Sequence, residues 1–186
     1  VLMSGKKYCL HLWTACLLLF AAGGSIPPAG AQGKPPLEYQ VKAAFLFNFT
    51  RFIHWPESAY TSPDAPFVIG IVGTDPFGTY LDELVNSEKA EGHPIIIRRY
   101  PGGGDMSGCQ LIFIGLDTPG KLKAILSLTA HPGMLTVGDA ASFISSGGMV
   151  RFFKEDNRIK IEIKLAAAKA AQLEVSAKLL QVAKIK

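Results

Sequence analysis

The sequence predicts an α/β fold: a three-layer sandwich with a mostly parallel sheet, helices on both faces and an antiparallel hairpin at one edge. Three observations predict it. The runs at residues 67–72 and 111–114 are short and apolar throughout, the composition of strands buried on both faces. Helix-patterned segments alternate with these runs, and strand–helix units close into parallel sheets through right-handed crossovers. Residues 148–153 and 157–165 are β-rich runs on either side of a polar turn at 154–156, the pattern of a hairpin.

A chain of 186 residues with 48% hydrophobic content supports one domain with a substantial core. Residues 1–31 read as a secretory signal peptide. Lys6 and Lys7 make a basic start, residues 10–22 an apolar run, and Ala29-Gly30-Ala31 a small-x-small cleavage site. Cys16 lies inside the apolar run rather than after it, which excludes a lipid-acceptor role. Residues 32–37 form a Gly/Pro linker and 38–186 the domain. Cleavage removes two lysines and no acidic residue, so the formal charge of +4 falls by two. That balance offers no electrostatic footprint for nucleic acid. Cleavage also removes Cys9 and Cys16 and leaves Cys109 without an internal disulfide partner. Cys109 precedes an apolar strand, which favours a buried thiol over an intermolecular bridge.

The elements follow in order. Residues 38–56 predict an amphipathic helix ended by Pro56. Val41, Phe45, Leu46, Phe49, Phe52 and Ile53 form its apolar arc, with Phe45 and Phe49 as core candidates. Lys42 interrupts the arc and is expected to snorkel outward. Phe47 sits among polar residues, either covered by the chain or offered to a partner. The strand at 67–72 leads through Thr74 or Asp75, both able to cap, into a helix reaching Val85. A turn at 87–92 precedes a strand at 93–100, then a flexible loop at 101–105. A strand at 111–114, a helix at 118–128, a strand at 134–137 and a short helix at 140–145 follow. In the hairpin's last strand Ile159, Ile161 and Ile163 alternate with Arg158, Lys160, Glu162 and Lys164. Unpartnered charges resist burial, so the second face is expected to meet water or a polar partner. Residues 166–184 predict helix, broken near 173–175, with Ser176 capping the second part.

No catalytic set emerges, and no cofactor or metal is predicted. The glycines around 70–73 lack a dinucleotide fingerprint, and Gly102-Gly103-Gly104 lacks the Lys-Ser/Thr of a phosphate loop. His54, His93 and His131 have no ligand spacing for a metal, and His93 and His131, each before a proline, are expected to be solvated. Ser145-Ser146 lacks the flanking pattern of a nucleophile turn. Asp75 and Asp139 each follow a parallel-strand candidate, where open sheets bind ligands. They are candidate contacts for a small cationic or hydroxylated ligand, with helix capping as the favoured reading because each sits just before a helix candidate.

The stretches EYQVKAAFLFNFTRFIHWP, FVIGIVGTDPFG, CQLIFIG, LTVGD followed by FISSGGMVRFF, and NRIKIEIKLAAAKAAQLEVSAKLL occur in this order. Together they resemble the YfiR family of exported bacterial proteins over essentially the whole chain after the signal. The resemblance implies a periplasmic protein with a three-layer α/β sandwich that forms dimers. It implies repression of an inner-membrane diguanylate cyclase through that enzyme's periplasmic sensory domain, with an outer-membrane lipoprotein able to draw the repressor away. Cyclic di-GMP and biofilm are then its outputs. Family members with more cysteines form disulfides, which this chain cannot match.

The function expected is therefore a periplasmic regulatory binding protein and not an enzyme. The alternative is a small-ligand receptor for a membrane histidine kinase or other sensor; a hydrolase is the third reading and has no motif behind it. A docking surface needs an apolar anchor within a polar rim. Phe47, Trp55, Phe152 and Phe153 are the candidate anchors, with packing in the core as the favoured fate of each taken singly, and Arg51, Arg151, Arg158 and Lys164 the candidate rim charges.

Overall fold

The computed structural model describes residues 34–186. The signal-peptide reading, Cys9, Cys16 and the first linker residues lie outside the described residues. In chain order the elements are α1 (Leu37–Phe52), β1 (Ile53–His54), a 3-10 turn (Glu57–Ala59), β2 (Phe67–Gly73), α2 (Thr79–Val85), β3 (Lys89–Ala90), β4 (His93–Tyr100) and β5 (Leu111–Gly115). They continue as α3 (Pro119–Leu128), β6 (Leu135–Gly138), β7 (Val150–Glu155), β8 (Arg158–Ile163), α4 (Leu165–Ala170), β9 (Glu174–Val175), α5 (Ala177–Val182) and β10 (Ala183–Ile185).

The main sheet has the order β10-β8-β7-β6-β5-β2-β4-β3. From β4 to β7 every pairing is parallel. The hairpin β7–β8 is antiparallel, and β10 adds in parallel outside it, so the hairpin is not the outermost layer of that edge. Period-two alternation sends the central strands to two cores. Phe67, Ile69, Ile71, Leu111, Phe113, Leu135 and Val137 join α1, α2, α4 and α5 in one. Val68, Val72, Ile112 and Ile114 join Leu122 and Leu126 of α3, with Phe143, in the other. This is the three-layer α/β sandwich that the apolar strands imply.

Several local readings are corrected. The helix α1 ends at Phe52, before Pro56, because Ile53 and His54 turn extended and pair with Val175 and Glu174 of β9. The Ser176 N–H donates to the Phe52 carbonyl at 2.9 Å, so a tertiary ladder captures the last predicted turn. Lys42 does not snorkel. It is 3% exposed, and its Nζ reaches Asp139 Oδ2 at 2.8 Å and Glu38 Oε1 at 2.7 Å. Its intrinsic burial cost is offset by charge-assisted hydrogen bonds. Of the apolar arc, Leu46, Phe49 and Ile53 are fully buried, whereas Val41, Phe45 and Phe52 are half-buried.

The helix α2 begins at Thr79, later than predicted, since Asp75 Oδ1 accepts from the Phe77 and Gly78 amides and holds 75–78 as a non-helical turn. Residues 140–145 form hydrogen-bonded turns rather than a helix. They fold over Phe143, whose ring lies on bare backbone; a Cβ at Gly138 or Gly148 would run into it. The hairpin turns at Asp156 and Asn157, both at positive φ, so Lys154 and Glu155, predicted in the turn, belong to β7. Such a two-residue turn matches strand twist and suits Asp and Asn. Ser176 caps α5 as expected, its hydroxyl accepting from the Leu179 amide at 3.4 Å.

Candidate functional site

At the carboxyl ends of the parallel strands, Asp75 and Asp139 are already engaged. Arg99 of β4 reaches from one side to Asp75 Oδ2 at 2.7 Å and on to Asp82 of α2. Those carboxylates hold the Arg99 guanidinium well above its ordinary pKa, Asp82 most strongly, against a desolvation that works the other way. Asp139 is spent on Lys42. Around Asp139 a cleft of about 190 Å³ is lined also by Tyr39, Thr74 and Asp117. Asp75 lines an adjoining cleft that shares Pro76 with this one.

The hairpin and β10 make a second surface. Cross-strand register places Arg151 opposite Glu162, Phe153 opposite Lys160, and Lys184 beside Glu162. Arg151, Arg158, Lys160, Lys184 and Lys186 therefore share one face with Glu155 and Glu162. Glu162 is 4% exposed, against the expectation of a wholly wet or docked face. It tolerates burial because Arg151 and Lys186 surround it, at 2.8 and 3.7 Å. Lys160 pairs with Glu155. Arg158 and Lys184 have no ion-pair partner among the described residues. Beside them a groove of about 550 Å³ is lined by Phe45, Ile159, Val182 and Ala183 among others.

The candidate anchors separate. Phe152 is 1% exposed and stacks on Phe49 with centroids 6.1 Å apart, so it is core and cannot meet a partner. Trp55 is 7% exposed, packs edge-on to Phe67 and donates from Nε1 to the Gln110 carbonyl at 3.0 Å, so it too is structural. Phe153 stays half-buried beneath the Arg151 guanidinium, 5.2 Å from its centroid. Phe47 is half-buried against the core, with Arg51 5.3 Å over its ring. Arg158 and Arg51 are exposed and Lys164 half-buried. Phe153 and Arg158 line one groove, and Phe47 and Arg51 are not part of its lining.

A third feature lies at the other sheet edge. Tyr60 stacks on His93 at 3.8 Å in a cleft of about 610 Å³ that Trp55, Glu57 and Glu91 also line. His93 is half-buried, its Nδ1 2.6 Å from the Ala65 carbonyl, which corrects the expectation of a solvated side chain. The Tyr60 hydroxyl is buried with no partner among the described residues. Burial, and then the Glu91 charge, pushes its pKa up to about 12.

A family profile described as YfiR/HmsC-like matches residues 39–184, which reaches from within α1 into β10. The chain belongs to the YfiR/HmsC-like family. Comparison with curated proteins gives no match.

In this YfiR/HmsC-like domain Cys109 is free and buried, its Sγ 3.4 Å from the Tyr100 hydroxyl. Burial raises the thiol pKa, the setting of an inert cysteine. Sequence reasoning missed Gln110. It is 2% exposed, accepts from the Val68 amide through Oε1 and donates from Nε2 to the Ala59 carbonyl. With its backbone carbonyl on Trp55, it ties the loop after β1 to the sheet. A glutamine ahead of a strand carries no pattern that announces this. The cation at Lys42 was visible as an oddity on an apolar arc, and its carboxylate partner, distant in sequence, was not. Among the described residues no group of His, Cys, Asp and Glu converges to hold a metal ion.

Proposed function

We propose that this chain is a periplasmic regulatory binding protein, without catalytic activity, that represses a membrane-bound diguanylate cyclase through the cyclase's periplasmic sensory domain. The observation that carries the reading is the family match over residues 39–184. The hairpin groove, in which Arg158, Lys160 and Lys184 stand beside Phe45, Ile159 and Val182, supports it, since rim charges speed encounter and apolar anchors slow release. Export by the segment 1–31, with a mature start at Gln32, puts the domain in the compartment where such sensory domains lie. An outer-membrane lipoprotein that competes for the same surface would relieve the repression, and a homodimer is compatible with it. Deleting the gene should raise cellular cyclic di-GMP and biofilm mass, and restoring the exported chain should reverse both. Unchanged cyclic di-GMP in the deletion strain contradicts the proposal.

The alternative, a small-ligand receptor acting on a membrane histidine kinase or other sensor, draws on the cleft beside Tyr60 and His93. Its volume lies in the range of small-molecule sites. Its aromatic walls and the Glu57 carboxylate fit an organic cation better than an anion, with Glu91 already engaged by His54 Nδ1 at 2.7 Å.

A further inference from the structure

The strand β10 ends the main sheet, and nothing among the described residues pairs with its outer side. In a parallel ladder one residue's N–H and C=O point to the same neighbour, and the next residue's point away. The Lys186 N–H donates to the Ile163 carbonyl at 2.9 Å, so Lys184 and Lys186 face β8 with their backbones. Ala183 and Ile185 then present their N–H and C=O groups outward. The side chains sort differently. Ala183 and Ile185 lie opposite Ile161 and Ile163 on the apolar face, and Lys184 lies opposite Glu162 on the cationic one. Val182 is 64% exposed and Ile185 46%, next to the groove that Phe45 and Ile159 line.

From this arrangement we propose that the outer edge of β10 accepts an extended segment of a partner protein as an added strand, and that the segment alternates apolar and acidic side chains. Backbone hydrogen bonds to Ala183 and Ile185 would give the register. Apolar side chains of the segment would cover Val182 and Ile185. Acidic ones would meet Lys184 and Arg158, which have no ion pair among the described residues. A second copy of this chain is the wrong occupant. Antiparallel self-pairing would set Lys184 and Lys186 of both copies on one face, and like charges opposite each other destabilise a ladder. Edge lysines commonly guard against such self-association. The same lysines attract a strand of opposite charge.

The inference rests on the binding-protein reading and deepens it by naming the surface. The test uses the purified protein, ¹⁵N-labelled, titrated with the acidic peptide Glu-Val-Glu-Thr-Glu-Val-Glu and with its lysine counterpart. The acidic peptide should shift the Ala183 and Ile185 amides, and the lysine peptide should not. Lys184→Glu should weaken the acidic peptide about fivefold or more. Ile185→Pro removes an outward N–H and leaves the bonds to β8 in place. It should abolish binding with an unchanged urea midpoint. Equal response to both peptides, shifts elsewhere than β10, or response only to anionic lipid vesicles overturns the proposal. A cyclase sensory domain that binds Ile185→Pro as well as the parent also overturns it and leaves the regulatory reading standing. A sensory domain that binds neither protein, while the peptide still docks on β10, refutes the regulatory reading alone.

Discussion

Arg151 holds Glu162 across the β7–β8 hairpin with Nε at 2.9 Å and Nη2 at 2.8 Å from the same carboxylate oxygen. The carboxylate side chain is 5% exposed and the guanidinium 22%. Removing one partner of such a pair leaves the other charge poorly solvated. Arg151→Ala should therefore cost about 1–3 kcal/mol, and Arg151→Met with Glu162→Leu less than the sum of the single changes. Urea unfolding of the three variants checks this, and additive effects would show that the pair does not couple.

Phe49 and Phe45 sit one turn apart on α1 and should behave differently. Phe49 is fully buried between Phe45 and Phe152, so Phe49→Ala should cost about 3–5 kcal/mol. Phe45 is half-buried at the rim of the groove. Phe45→Ala should cost about 1–2 kcal/mol, in line with partial burial. Equal losses in urea unfolding would contradict the packing described.

The Tyr60 hydroxyl, unpartnered among the described residues, makes the opposite prediction. A buried hydroxyl without a hydrogen bond destabilises the folded state. Tyr60→Phe should raise stability by about 1 kcal/mol near neutral pH while keeping the stack on His93. The same substitution should change alkaline behaviour. A tyrosine with a raised folded pKa contributes fully below its unfolded value, and the contribution is lost as pH rises toward about 12. Chemical unfolding across the alkaline range should show a shallower decline in Tyr60→Phe than in the parent.

Lys42 and Glu38 bracket stability from both ends of the pH scale. Burial lowers the Lys42 pKa, yet Asp139 and Glu38 outweigh it and leave it raised. Lys42 therefore stabilises fully below the ordinary lysine value and less as pH climbs through its folded value. The Lys42 hydrogen bond lowers the Glu38 pKa, so that contribution is present above the ordinary glutamate value and fades as pH falls through the folded one. Lys42→Met should flatten both limbs of the stability profile in urea unfolding against pH.

What the sequence showed and what it concealed divide along physical lines. The strands β2 and β5 announce themselves, because burial on both faces demands continuous apolar composition. The strands β1, β9 and β10 were invisible. Each is short, and each exists only because a partner strand far along the chain pairs with it. The end of α1 was misplaced for that reason: local propensity carries the helix to Pro56, and the β9 ladder overrides it. The hairpin charges were read correctly as one face, but alternation alone does not reveal that Arg151 and Lys186 let Glu162 be buried. Burial of Trp55 and Phe152 agrees with the core packing favoured for each aromatic, but an aromatic beside charges looks the same in sequence whether it packs inward or outward, so Phe153 could not be told from Phe152.

The most direct measurement of the central claim is real-time binding of the purified protein to the isolated periplasmic sensory domain of the membrane-bound diguanylate cyclase proposed as its partner. The account predicts saturable binding whose association slows as salt rises. Arg158→Glu with Lys164→Glu should slow association at low salt and weaken that salt dependence, with dissociation little changed and the fold intact. Saturable binding with an unchanged association rate in the charge-reversed protein would move the docking site away from the hairpin, toward Phe47 and Arg51. Absence of any saturable binding by the parent protein would contradict the account itself.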